Sequence, residues 1–380
     1  MLSPEEIHRY SRQILLPSFG VEGQEKLKHA SVLVIGAGGL GAPVLQYLAA
    51  AGVGKIGIVD FDTVDVSNLQ RQVLFSSDEV DQSKSQVASE KLQRLNPLIQ
   101  IECINARLSA QNAKSIVVHY DIVVDGSDNL PTRYLVNDVC VMLDKPLVYG
   151  AIFQYEGQTS VFNQVLKDGT RGPNYRDLFP EPPPPEMVPS GSEGGVLGVL
   201  PGIIGSMMAN EAIKIMTDVG ETLSGRLVLF NSFDFTTRTV NLRKSKFNPI
   251  NGENPTIHDL IDYELFCDPS RKSNHVKEIE PIELKEWMDS KKEFQLVDVR
   301  DNAEVNLVRL ESIHIPLMQL EVSVTKIQKN IPVVVYCKSG GRSEKAIKKL
   351  ESNYGFNNLL NLKGGIMSWI NQVDPTLPRY

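Results

Sequence analysis

Apolar and polar positions alternate in blocks along the first part of the chain, in the order strand, loop, helix, strand. Between Ala30 and Asp65 the apolar run SVLVIG leads into a glycine loop, the alanine-rich stretch PVLQYLAAAG and a second apolar run, KIGIVDFD, which together make a βαβ pattern. IQIECI and DIVVDGSDN continue the alternation. Each run ends in polar residues, as strands do where a doubly wound parallel sheet places its ligand crevice. Ahead of the first strand, residues 1–30 are mostly polar, with Ile7, Tyr10, Ile14 and Leu15 at helical spacing, and this predicts a packed N-terminal arm.

Residues 167–195 hold a proline cluster and many glycines, which predicts a long crossover loop rather than a regular element. VLGVLPGIIGSMMANEAIKIM then reads as a helix, and RLVLFNSF with TRTVNLRK as antiparallel strands closing the first domain. The polar stretch DPSRKSNHVKEIEP has linker composition, so the expected domains are residues 1–271 and 272–380. In the second, FQLVDVR, IHIPL, IPVVVYC and NLLNL are strand signals between helix-like segments. The fold class expected is α/β: a Rossmann-like doubly wound sheet followed by a small α/β domain.

Length and charge narrow the picture. A chain of 380 residues exceeds the usual single core, in keeping with two domains. Its formal net charge is −7, which offers no basic field to nucleic acid or an anionic membrane. Apolar stretches are broken by Gly and Pro before they reach spanning length. Cys103, Cys140, Cys267 and Cys337 lie far apart in a chain lacking a charged-then-apolar leader, so a reducing, cytoplasmic compartment is expected.

The loop GAGGLG supplies Gly36, Gly38, Gly39 and Gly41 directly after a strand, and Asp60 ends the next strand. Backbone N–H groups and a helix N-terminus can face a phosphate there, and a carboxylate suits the ribose hydroxyls. NAD and ATP both satisfy those requirements. Three further segments favour ATP: DFDTVDVSNLQRQ, then Lys84 in EVDQSKSQVASEKL, then DGSDNLPTRYLVND. With the N-terminal HRYSRQ, they resemble the HesA/MoeB/ThiF adenylating enzymes, relatives of ubiquitin-activating enzymes, up to GENPTI.

That resemblance implies roles. Asp60 would bind the ribose, while Asn68, Arg71 and Lys84 would hold the triphosphate and offset charge on the leaving pyrophosphate. Asp128 would serve Mg²⁺, with Asn129 beside it at the nucleotide. Arg12 resembles an arginine that relatives insert into a neighbouring subunit's ATP site, which implies a homodimer. Relatives also carry two C-x-x-C pairs for structural zinc. Here the matching positions are Asn174, Asp177, Asn248 and Asn251, so hydrogen bonds rather than zinc are expected to tie these loops together. Gly191, in PSGSEGG, stands where many relatives have a cysteine. Ser190 and Ser192 flank it without an obvious activating base, which leaves no nucleophile expected in that loop.

In the second domain IPVVVYC runs straight into KSGGRSEKAIKKL, placing Cys337 between a buried strand and a helix. Loop N–H groups, the helix N-terminus and Arg342 are expected to favour its thiolate. This stretch resembles single-domain rhodanese sulfurtransferases, together with LVDVRDNAEV (Asp298, Arg300, Glu304) and NLKGGIMSW. Cys337 would carry a persulfide. Related phosphatases have one more residue between cysteine and arginine, and the shorter loop here favours sulfur. Asp298 and Arg300 read as a structural pair supporting the loop.

The combined resemblance is to molybdopterin-synthase adenylyltransferase/sulfurtransferases and their relatives in tRNA thiolation. It implies adenylation of the Gly-Gly carboxylate of a small ubiquitin-like sulfur carrier, then sulfur transfer from Cys337 to give a thiocarboxylate. The donor would be a cysteine desulfurase or thiosulfate, and the carrier could equally serve thiazole synthesis. Two other classes stay open at this point. One is an NAD-dependent oxidoreductase, resting on the glycine loop and Asp60; the other is a carrier-binding scaffold without catalysis.

Overall fold

The computed structural model describes residues 1–183, 195–268 and 276–380. The chain forms two compact units, Met1–Pro269 and Ser270–Tyr380. The division expected after residue 271 lies outside the described residues, as does Gly191 with its flanking serines.

In the first unit, among the described residues, one sheet contains β1 (Ser31–Ile35), β2 (Lys55–Val59), β3 (Gln100–Ile104), β4 (Ile122–Asp125), β5 (Leu147–Phe153), β6 (Glu156–Phe162), β7 (Arg226–Asn231) and β8 (Thr236–Asn241). The strand order is β3-β2-β1-β4-β5-β6-β7-β8. β1 to β5 pair in parallel, and β6, β7 and β8 extend the sheet antiparallel. Val32 and Val34 of β1 pack with Leu45 and Leu48 on one face, while Leu33 and Ile35 pack with Val136 and Val139 on the other. A parallel strand covered on both faces must be apolar at successive positions, which is why SVLVI has no alternation. The order reverses between β1 and β4, so the crevice opens at their carboxyl ends.

The structure departs from the sequence reading in several places. The β5–β6 hairpin gave no strand signal because Gly150 and Gly157 interrupt its apolar runs. In the N-terminal arm, Tyr10 is buried and its hydroxyl accepts from Asn96 Nδ2 at 2.8 Å, but Ile7 and Leu15 are 48% and 71% exposed. The continuous apolar stripe expected there is absent because the helix breaks at Tyr10, between Pro4–Arg9 and Ser11–Ile14. The proline-rich crossover contains a short helix, Tyr175–Leu178, where Asn174 and Asp177 form a capping box.

The second unit has a parallel sheet of β9 (Glu278–Ile279), β10 (Gln295–Asp298), β11 (Ile313–His314), β12 (Val333–Tyr336) and β13 (Leu359–Leu362), ordered β11-β10-β12-β13-β9. β9 falls inside KEIEP, which composition had assigned to the linker. A two-residue edge strand carries no periodicity, and its pairing with Asn361 and Leu362 is a tertiary contact. Among the described residues no helix is long and apolar enough to cross a membrane.

One buried ion pair ties three helices of the first unit together. Arg176 Nε and NH2 donate to Asp138 Oδ1 and Oδ2 at 2.7 and 2.8 Å, with neither side chain exposed, and Tyr263 OH donates to Oδ2 at 2.8 Å. Arg176→Met leaves that carboxylate buried without its cation. Such loss costs about 3–5 kcal/mol, and urea unfolding should show a drop of that size.

Candidate functional site

The glycine loop begins where β1 ends. Gly36 N donates to Val59 O at 2.8 Å, which fixes the loop to β2. The helix Gly41–Ala51 starts so close that a Cβ at position 41 would lie 1.8 Å from Gly36 O. A Cβ at Gly38 would meet Gln72 Nε2 at 3.5 Å, and one at Gly39 would meet Pro201 Cβ at 3.2 Å. Asp60 is buried and faces this loop: its Oδ2 accepts from Ala37 N at 2.7 Å and its Oδ1 from Asp62 N at 2.8 Å. Burial pushes its carboxyl above the usual carboxylate range, while those two amides pull it back.

Lys84 opens the helix Lys84–Leu95 and is only 5% exposed. Its ammonium lies 3.3 Å from Asp62 Oδ2. Arg71 follows the turn Val66–Asn68 and donates to Ser67 O at 3.0 Å, and its Cγ lies 3.7 Å from where a Gly39 Cβ would stand. Asn68 ends that same turn. Asp60 and Arg71 therefore border one loop, and Lys84 is tied to it through Asp62. At the end of β4, Asp128 is exposed, whereas Asn129 caps the helix Leu130–Met142, its Oδ1 accepting from Thr132 N at 3.0 Å.

Four buried polar atoms near this crevice have no hydrogen-bond partner among the described residues: Gln72 Oε1, Asp125 Oδ2, Ser127 Oγ and Arg133 Nε. Native interiors rarely leave such groups unpaired, and their concentration here suits a polar ligand. Burial pushes the Asp125 carboxyl up, with the nearby Arg133 charge opposing the shift. Sequence reasoning missed Gln72, Asp125 and Arg133. The available signal was an acid ending the buried run DIVVD.

Arg12 is exposed on Ser11–Ile14. Its neighbour Gln13 donates to Ala51 O at 3.1 Å, at the carboxyl end of the helix whose N-terminus forms the loop. The arm is therefore anchored a whole helix away from its own glycine loop.

Asn174, Asp177, Asn248 and Asn251 do come together. Asn174 Nδ2 donates to Asn251 Oδ1 at 3.1 Å, and Asn248 Nδ2 donates to Asn174 Oδ1 and Asp177 Oδ1 at 3.2 and 2.7 Å. Hydrogen bonds join these two loops. Among the described residues no group of three His, Cys, Asp or Glu side chains is placed to hold a metal.

In the second unit Cys337 follows β12 and is 1% exposed. Gly340 N donates to its Sγ at 3.1 Å, and Ser343 Oγ lies 3.4 Å from Sγ and 2.6 Å from Asn361 Oδ1. The Gly340 amide therefore aims its hydrogen at the sulfur, while the single Ser343 hydroxyl proton goes to Asn361 Oδ1. Arg342 was expected beside the thiolate. Its guanidinium instead makes a bidentate pair with Glu304, at 2.6 and 2.7 Å, because the helix Gly341–Tyr354 turns that side chain toward the Asp301–Val305 turn. Asp298 and Arg300 form a buried pair at 2.6 Å, and Arg300 NH2 also holds Val308 O at 2.8 Å. The burial of Cys140 on a helix pushes its thiol up, as suits a structural cysteine.

The ThiF family profile matches residues 10–249. The chain belongs to the ThiF family. A rhodanese-like domain matches residues 280–372 of this ThiF-family chain. It is 46% identical to "Probable adenylyltransferase/sulfurtransferase MoeZ" of Mycobacterium tuberculosis, over all of this chain and 96% of that protein. It is 53% identical to the sulfur carrier protein adenylyltransferase of Thermus thermophilus, over 69% of this chain and 97% of that one. Among solved structures, E. coli MccB matches at 24% identity with a TM-score of 0.56, over 64% of this chain and 72% of that chain, which shows the shared fold.

The rhodanese-like loop of this ThiF-family chain is held from below by Gly365. Its φ is +61°, and a Cβ there would lie 2.4 Å from Cys337 O. Gly365→Ala is expected to destabilise that unit by about 1–3 kcal/mol, read as an earlier denaturant midpoint.

Proposed function

We propose that this chain uses ATP to adenylate the C-terminal carboxylate of a ubiquitin-like sulfur-carrier protein, and that Cys337 then delivers sulfur to the activated carbonyl. The observation that carries the reading is the buried ammonium of Lys84 beside the loop that Asp60 faces. A lysine held out of water next to open backbone amides is suited to phosphate oxygens. The names of the Thermus and Mycobacterium relatives support the same chemistry.

In the first step a carrier carboxylate oxygen attacks the α-phosphorus and pyrophosphate leaves. Glycine-loop amides and Lys84 hold the phosphates, Arg71 and Asn68 flank them, and Asp60 takes the ribose hydroxyls. Asp128, exposed at the end of β4, is the carboxylate that would hold Mg²⁺ together with phosphate oxygens. When bound, Mg²⁺ neutralises charge on the leaving pyrophosphate. Asn129 orients the turn by capping the next helix. Arg12, anchored far from its own loop, serves the site of a second subunit in a homodimer.

In the second step the terminal sulfur of a Cys337 persulfide attacks the acyl carbon and AMP leaves. Gly340 N holds the Cys337 sulfur, and Ser343 Oγ packs beside it while bonded to Asn361. A thiol reductant then attacks the Cys337 sulfur of the resulting acyl disulfide, which frees the thiocarboxylate and leaves a mixed disulfide at Cys337, and a second thiol reduces that disulfide to restore Cys337. The persulfide is supplied by a cysteine desulfurase or by thiosulfate.

Lys84→Ala should lower carrier-dependent ATP–pyrophosphate exchange by about 10²–10³-fold, and unchanged exchange would defeat the reading. Cys337→Ala should leave exchange intact yet yield no thiocarboxylate by intact mass after ATP and a sulfur donor are added. Metal analysis of the purified chain should find no stoichiometric zinc, since three amides and one carboxylate replace the thiolates that structural zinc requires.

A further inference from the structure

Two long cations follow Cys337 in its loop, Lys338 and Arg342, and the structure ties both to Tyr380. Glu304, which grips Arg342, accepts from Tyr380 OH at 3.2 Å through Oε1. That hydroxyl in turn accepts from Arg300 NH1 at 2.5 Å. A chain of contacts thus runs from the buried Asp298–Arg300 pair through Tyr380 and Glu304 to the helix that follows the thiol. The Tyr380 ring packs with Leu377 against a core that includes Tyr336 and Trp369. Its face carries the Lys338 ammonium, 4.8 Å from the ring centroid.

We infer that Tyr380 is a positioning residue for sulfur transfer: its ring fixes the Lys338 charge on the loop that carries Cys337, where it meets anionic sulfur donors. The inference rests on the sulfur-transfer reading of Cys337. A lysine side chain samples many rotamers when unrestrained, and an aromatic face restricts it by attraction to the ammonium. The ring is itself held by its apolar packing, which a phenyl ring would keep, and its hydroxyl adds bonds to Arg300 and Glu304. Fixed charge at the loop attracts a dianion such as thiosulfate before any bond changes. Such binding acts on KM rather than kcat.

The test uses the full chain with thiosulfate as donor and cyanide as acceptor. Tyr380→Leu should raise the KM for thiosulfate about three- to tenfold while kcat changes less than about twofold. Tyr380→Phe, which keeps the ring, should restore most of the affinity. In a Lys338→Met background Tyr380→Leu should add nothing further. Thermal unfolding of each variant checks that the fold persists. A fall in kcat at unchanged KM, an equal loss in the Phe variant, or additivity with Lys338→Met would each overturn the inference. If the unaltered chain forms no more thiocyanate than Cys337→Ala, the sulfur-transfer reading fails and the inference falls with it.

Discussion

The first unit depends on how closely the helix Gly41–Ala51 approaches the loop that precedes it. Position 41 has room for a hydrogen and not for a methyl group, since a Cβ would stand 1.8 Å from Gly36 O. That approach aims the helix N-terminus and the loop amides into one concavity. It also lets the end of β4 touch the loop, with Gly126 O 3.2 Å from where a Gly36 Cβ would lie. Asp60 can then reach Ala37 N, and Lys84 is brought alongside through Asp62. Loosening this contact would scatter groups that lie on four separate segments.

Both units use one device for two chemistries. In each, a buried parallel strand ends in a glycine-containing loop that feeds directly into a helix, at Ile35–Gly41 and at Tyr336–Gly341. Amide groups converge on whatever stands in that loop. In the first unit the loop holds no reactive side chain, and cations gather around it, as phosphate requires. In the second the strand delivers Cys337 itself, and Gly340 N meets its sulfur. The difference between a loop that receives an anion and one that presents a sulfur lies in a single side chain at its mouth.

The polar interior is organised so that few charges stand alone. Arg176 is matched to Asp138, Arg300 to Asp298, and Arg342 to Glu304. The four residues at the zinc-matching positions form their own hydrogen-bonded set. Of six unpaired buried side-chain atoms among the described residues, four belong to Gln72, Asp125, Ser127 and Arg133 at the crevice, and the other two, Ser224 Oγ and Asn358 Oδ1, lie apart from it. This contrast is what separates the scaffold from the crevice, because an unmet polar group costs stability unless a ligand satisfies it.

Much of this was legible in the chain as written. Continuous apolar runs such as SVLVI and IPVVVY determine buried parallel strands, and GAGGLG and CKSGGR determine what stands at their ends, because both signals are local. The same holds for Asp60, Lys84 and Cys337, each fixed in place by the element that carries it. The β5–β6 hairpin, the edge strand β9 and the broken N-terminal arm were decided only by packing, since their local patterns are short or interrupted. So was the partner of Arg342. The sequence places that arginine five residues after the thiol, but only the folded chain brings Glu304 and Tyr380 to it, through contacts 38 and 76 residues apart. Such pairings depend on the arrangement of whole elements, and no periodicity or spacing in the chain encodes them.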